Sequence, residues 1–377
     1  MATSYYNAVA TQTTPYVVIY GQDGDVLTKV SDPATLPTGV GLGVSFSPDV
    51  TYLAVAHSVS PNISIYKRAG DVFTKLADPA TLPPNVGTGS SWSPDGTYLA
   101  VAHATSPNIS IYKRAGDVFT KLSDPATLPT GTSNNTSWSN DGTYLAVAHN
   151  ISPFITVYNR AGDVFTKLSD PATLPANQAL TTTFSPDGTY LAVGNDLSGF
   201  LVIYKRAGDV FTKLADPATM PPAAVRGSSW SPDGTYLSVA HGTSPFITVY
   251  KRAGDVFTKL ANPATLPPNL AYSTSFSPDG AYLSVGHFNS PYLTVYSRSG
   301  DVFTKLANPA TLPTGSGRGI AYSGTLNAAP TAPTLVAPAN VSNVPTTDPL
   351  LYDWTPNDPD VGDTQSEFAL VRRKVPN

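Results

Sequence analysis

The sequence predicts an all-β fold: a seven-bladed β-propeller followed by a partial β-sandwich. Three observations predict it. The phrase GDVFTKL recurs, its first copy drifted to GDVLTKV, with its Asp at positions 25, 71, 117, 163, 209, 255 and 301, a step of 46 residues without insertion. A period of about 40–50 residues holding four strand-like segments marks a propeller blade. The composition is that of a turn-rich chain: 36 Pro, 29 Gly, and a single glutamate, Glu367, among 26 acids. Asp favours turns where Glu favours helices. Finally, the two ends of the repeat complement each other.

Each unit divides into four strands, lettered a to d. Ser90 to Ser93 is strand a. In the turn Pro94-Asp95-Gly96, Pro presets φ, Asp bonds back to the backbone and Gly tolerates positive φ. Tyr98 to His103 alternates as strand b, and Ser106-Pro107 ends it. Asn108 to Tyr112, rich in Ile, is strand c. Ala115-Gly116-Asp117 turns into strand d, Val118 to Leu122. The connection from Asp124 to Pro129 leads to the next unit.

Shifted back by 46 residues, Tyr52, Pro61 and Tyr66 land on Tyr6, Pro15 and Tyr20, so the chain starts at strand b. Gly319 to Ser323 matches strand a, with Tyr322 at the Trp92 position, and no b, c or d follows. Six blades are complete and the seventh is shared by the two ends. A closed ring needs that split, because strand a from one end pairs with strand b from the other and removes the sheet edges. The propeller is assigned to residues 1–327. Pro and Ala rise in 328–377, where the period stops.

Composition excludes several function classes. A net charge of −4 with 13% charged residues argues against nucleic-acid binding. The absence of cysteine removes disulfides, thiol nucleophiles and cysteine zinc sites. No apolar run approaches ~18 residues, so no membrane insertion is expected. MATSYYNAVATQTTPYVVIY has no basic stretch followed by an apolar one, so no signal peptide is expected.

The repeated polar columns read as structural. His57, His103, His149, His241 and His287 occupy one blade position, with Asn195 and Thr11 in the other two units. Equivalent atoms of neighbouring blades lie ~10 Å apart, whereas zinc ligands sit ~2 Å from the metal. A hydrogen bond at the end of strand b, toward the loop of Asp78, is expected instead. The columns of Asp95, Asp117 and Asp124 each have a turn role, and sevenfold repetition is unlike a unique acid–base pair. Lys67-Arg68, Lys113-Arg114, Lys205-Arg206 and Lys251-Arg252 read as solvated, charge-balanced hairpins. Gly39-Val40-Gly41-Leu42-Gly43 leads into a strand, so it lacks the helix a nucleotide loop requires. The columns of Tyr66, Phe73 and Trp92 read as core between blades. No catalytic residue, metal or cofactor is expected, and the protein reads as a non-enzyme.

Information lies where the units differ. One column reads Leu42, Thr88, Asn134, Leu180, Arg226, Tyr272 and Arg318. Two residues earlier it reads Val40, Val86, Thr132, Gln178, Ala224, Leu270 and Ser316. The b–c loop varies too, with Leu197 and Asn289 in one column and Phe288 alone in its own. In a four-strand meander the b–c and d–a loops share a face. The candidate binding face is therefore Leu42, Thr88, Asn134, Gln178, Leu180, Leu197, Arg226, Tyr272, Phe288, Asn289 and Arg318.

The phrase running from Phe184 to Val193, seen again from Phe46 to Val55 and from Phe276 to Val285, resembles the WD-repeat and YVTN-type propellers. Tyr66, Tyr112 and Tyr158 stand where that family has Trp in strand c. Ala332 to Asn340, Leu351-Tyr352-Asp353-Trp354 and Phe368 to Arg372 resemble strands of a fibronectin type III module. About 90–100 residues make such a sandwich, so either 328–377 begins a longer chain or a partner completes it; the former is expected. The blades together with APTLVAPAN and DWTPNDPDVGDTQS resemble tail-associated proteins of tailed bacteriophages. That resemblance implies a structural or binding component of a virion assembled in the host cytoplasm. Its varied face would meet other virion proteins or a glycan or protein receptor on the host surface. The alternatives are a secreted or cell-surface adhesin or glycan-binding propeller, and a lactonase-like enzyme.

Overall fold

A computed structural model describes residues 4–324 apart from 198. Among them every regular element is a strand, arranged as seven four-stranded antiparallel sheets. Six sheets run a, b, c, d in chain order. The seventh orders Gly317–Tyr322, Tyr5–Thr11, Val17–Asp23 and Val26–Lys29. Its seam pairs Asn7 with Tyr322 and Ala8 with Ala321. The chain is thus a seven-bladed propeller closed through the split blade, as the repeat arithmetic requires. The fibronectin-like reading of 328–377 lies outside the described residues.

Local chemistry explains each blade. In the second complete blade the strands are Gly87–Trp92, Tyr98–His103, Ile109–Ala115 and Val118–Lys121. Strand c runs three residues past the apolar pattern. Ala115 pairs with Val118 across a two-residue turn, and Gly116 takes the positive φ of +57° that such a turn needs. In the a–b turn, Ser93 Oγ donates to the Asp95 carboxylate, which accepts from Thr97 N–H at 3.0 Å.

Blades stick to each other through aromatic triads. Tyr52 of one blade meets Trp92 and Phe119 of the next at ring-centroid distances of 6.0 and 5.8 Å. Burying each such ring is worth ~1.5–3 kcal/mol, and edge-to-face geometry adds ~0.5–1.5 kcal/mol per pair. The lysines do not balance their own hairpins. Lys67 reaches Asp117 and Lys113 reaches Asp163, each 2.9 Å away in the following blade. These cations therefore tie blade to blade. Tyr66, Tyr112 and their equivalents are fully buried at the position the WD family gives to Trp. Tyr112 Oη donates to Thr81 O at 3.0 Å and so pins the d–a connection.

The inner strands a approach closely around the central channel. A Cβ on Gly227 would lie 2.7 Å from Ser273 Cα of the next blade. At the seam the inner-strand aromatic is Tyr322, whose hydroxyl donates to Gln22 Oε1 at 2.8 Å and accepts from Ser284 Oγ at 2.9 Å.

Candidate functional site

The varied positions converge where the innermost strands begin. Strand a enters the channel at its second residue, so seven such residues form a ring: Leu42, Thr88, Asn134, Leu180, Arg226, Tyr272 and Arg318. All seven line one cavity of about 550 Å³ that follows the channel down to Pro94, Asn140 and Pro186 in the a–b turns. Small-molecule sites span ~300–1,000 Å³. Below the ring the lining is hydroxyl-rich. Ser91 Oγ and Thr136 Oγ1 lie 2.7 Å apart, Ser45 and Ser90 Oγ 2.9 Å apart, and both pairs stitch neighbouring blades.

The ring is chemically asymmetric. Thr88 Oγ1 donates to Ser133 O at 2.6 Å and Asn134 Nδ2 to Ala179 O at 2.7 Å, which fixes both side chains. The threonine oxygen still has lone pairs, and the asparagine Oδ1 remains an acceptor. Leu42 and Leu180 are apolar. Across the mouth, the guanidinium carbons of Arg318 and Arg226 lie 4.4 and 6.0 Å from the Tyr272 ring centroid. Phe288 packs on Tyr272 at 6.5 Å and is 45% exposed on the rim. No carboxylate or imidazole lines the cavity among the described residues.

Four predicted residues lie outside the cavity lining. Gln178 belongs to the column whose carbonyls anchor the b–c loops: its oxygen accepts from Asp196 N–H, as Val40 O does from Ser58 N–H. That column varies because it acts through its backbone. Leu197 and Asn289 are exposed on b–c loops of different blades, Asn289 next to Phe288. Sequence comparison between blades missed Gln12, whose Oε1 is 3.4 Å from Arg318 Nη2. It belongs to the b–c loop of the split blade.

The histidines are structural, but not through Asp78, which pairs with Lys75. His103 Nδ1 donates to Thr105 O at 2.8 Å, and its Nε2 lies 3.1 Å from Ser110 Oγ in strand c. Because a carbonyl only accepts, the proton sits on Nδ1 and the hydroxyl donates to Nε2. His241 and His287 repeat this with Thr248 and Thr294. Burial holds His57, His149, His241 and His287 down at about 4. Among the described residues no group of three or more His, Asp or Glu is placed to hold a metal ion.

No family model matches the sequence, and no curated protein matches it. Solved structures do share the fold. A candidate 6-phosphogluconolactonase from Bacteroides fragilis is 14% identical, with a TM-score of 0.69, over 85% of this chain and 98% of its own. The periplasmic gluconolactonase of Pseudomonas aeruginosa is 19% identical, with a TM-score of 0.67, over 85% and 99%. A protein from Lactobacillus plantarum is 18% identical, with a TM-score of 0.69, over 85% and 99%. At these identities the likeness is one of fold.

The expectation of a non-enzymatic virion component is overturned. The similar structures include proteins named as lactonases, and none of those above is named as a virion protein. Geometry gives the physical reason. Seven of the eleven varied residues do not project from a broad docking face; they turn into a concave channel of small-molecule size.

Proposed function

We propose that this protein is a lactonase-like propeller whose channel mouth receives a small, hydroxyl-rich molecule of the sugar or sugar-lactone class. One observation carries the reading. The ring from Leu42 to Arg318 lines a cavity of hydroxyls, amides and guanidiniums and is the place where a near-identical repeat diversifies in chemistry. Thr88 and Asn134 offer fixed hydrogen-bond partners for sugar hydroxyls, and Leu42 and Leu180 offer apolar surface for the C–H faces. The names of the fold's neighbours point to the same ligand class.

For turnover of a lactone, water adds to the carbonyl, the ring C–O bond breaks, and the proton passes to the ring oxygen. With no carboxylate or imidazole in the described lining, the proton must travel through water.

The test is calorimetric titration of the full chain with D-glucitol, beside measurement of D-glucono-1,5-lactone hydrolysis above its spontaneous rate. Saturable glucitol binding, weakened by Thr88→Val and Asn134→Leu, is expected. Absence of both binding and rate enhancement would sink the reading.

A further inference from the structure

We propose that Arg226, Tyr272 and Arg318 form an oxyanion clamp at one side of the channel mouth. It would hold the carboxylate or phosphate group of an acidic sugar derivative. The inference deepens the sugar-class reading above and rests on it.

The clamp stands on three adjacent blades, at the start of Val225–Trp230, Ala271–Phe276 and Gly317–Tyr322. The same column is uncharged in the other four blades. Both guanidiniums gather at one ring, with Arg318 at 4.4 Å and Arg226 at 6.0 Å. An aromatic ring attracts a guanidinium and orients its planar fork without consuming its N–H donors.

The donors are unspent. Arg114, Arg160, Arg206 and Arg252 each meet an aspartate, at 3.2, 3.7, 3.5 and 3.6 Å. Neither Arg226 nor Arg318 has a carboxylate within 4.0 Å among the described residues. Arg318 has one 3.4 Å contact, to Gln12, and its Nε is buried without any partner. A buried N–H left unsatisfied is costly. An oxyanion seated between the arginines is the acceptor that would complete it.

The field agrees. The chain carries a net charge of −4, yet this mouth presents two cations and its described lining no anion. A cleft of one sign with low-dielectric walls focuses potential onto a ligand of the opposite sign. Thr88 and Asn134 face the clamp from the other side of the ring. A ligand with an acid at one end and hydroxyls along its length would be oriented by that division.

The experiment compares matched pairs on the full chain by titration calorimetry: D-gluconate against D-glucitol, and D-glucose 6-phosphate against D-glucose. The variants are Arg226→Gln/Arg318→Gln and Arg318→Lys, with melting temperature as the check on folding. Each acid is expected to bind at least ~10-fold tighter than its neutral partner, the gain typical of one or two charge-assisted hydrogen bonds. The double variant should erase that preference. Arg318→Lys, which keeps the charge and loses the fork, should retain only part of it. The larger of the two ratios identifies carboxylate or phosphate as the preferred head group. Equal affinity for acid and neutral partners overturns the clamp and leaves the sugar-class reading intact. If no sugar binds, that reading fails, and inorganic phosphate alone decides the clamp: saturable binding lost in the double variant supports it, and no binding overturns it.

Discussion

Mild acid should destabilise this propeller well before its aspartates titrate. His57, His149, His241 and His287 are fully buried, and desolvation lowers each from an ordinary 6.5 to about 4. His103 shifts in the same direction. Between those values the unfolded chain binds more protons than the folded one. Stability is therefore fully present above about pH 6.5 and falls as the pH drops toward 4. At pH 5 each of the four rings should cost about 2 kcal/mol, and the set about 8 kcal/mol if they act independently. For a domain of this size that corresponds to a fall in Tm of roughly 10 °C between pH 7 and pH 5. The carboxylates act in a different window. Burial alone would raise Asp95, but bonds from Ser93 and Thr97 hold it below 3.8, and Asp141 and Asp187 behave alike. Their contribution is lost only as the pH falls below that value. The assay is calorimetric Tm across pH 4.5–8. His149→Asn and His241→Asn are the matched variants, because Asn195 already fills this position and donates to Gly199 O at 3.0 Å. Each should remove about a quarter of the acid-induced drop. A flat Tm from pH 7 to 5, or variants as acid-sensitive as the parent, would show that the buried imidazoles do not govern acid stability.

Other perturbations test closure and site. Deleting 318–377 removes strand a of the split blade and exposes two sheet edges; a truncation melting with the parent would disprove that closure. Tyr322→Phe should cost about 1–2 kcal/mol by stranding Gln22 Oε1, and Tyr322→Ala about 3–5 kcal/mol, both read by denaturant unfolding. Gly227→Ala places a methyl 2.7 Å from Ser273 Cα beside Tyr272, and should cost about 1–3 kcal/mol and weaken ligand binding together. Lactone hydrolysis should rise with hydroxide from pH 7 to 9; a bell-shaped profile would reveal a general base that the lining lacks.

Much of the fold was legible because a blade writes itself seven times. Period, turn chemistry and complementary ends gave blade number and the split seam, through matches such as Tyr6 with Tyr52 and Tyr322 with Trp92. The end of strand c was not legible, because Lys113 and Arg114 break the apolar pattern while their backbones still pair with strand d. One variable column pointed to the residues that ring the cavity, and the difference between Thr88, Arg226 and Tyr272 across blades was the signal. Two things stayed hidden. Variation at Gln178 and Arg226 looks alike in sequence, although the backbone matters in one column and the side chain in the other. Concavity is a property of the closed ring, so a loop face could not be told from a channel mouth before the strands were placed.

A crystal structure of the full chain with D-gluconate would show the ligand in place. Gluconate is expected in the channel mouth, its hydroxyls on Thr88 and Asn134 and its carboxylate toward Arg226 and Arg318. An empty channel at saturating gluconate, or the ligand seated elsewhere on the propeller, would contradict the proposed site.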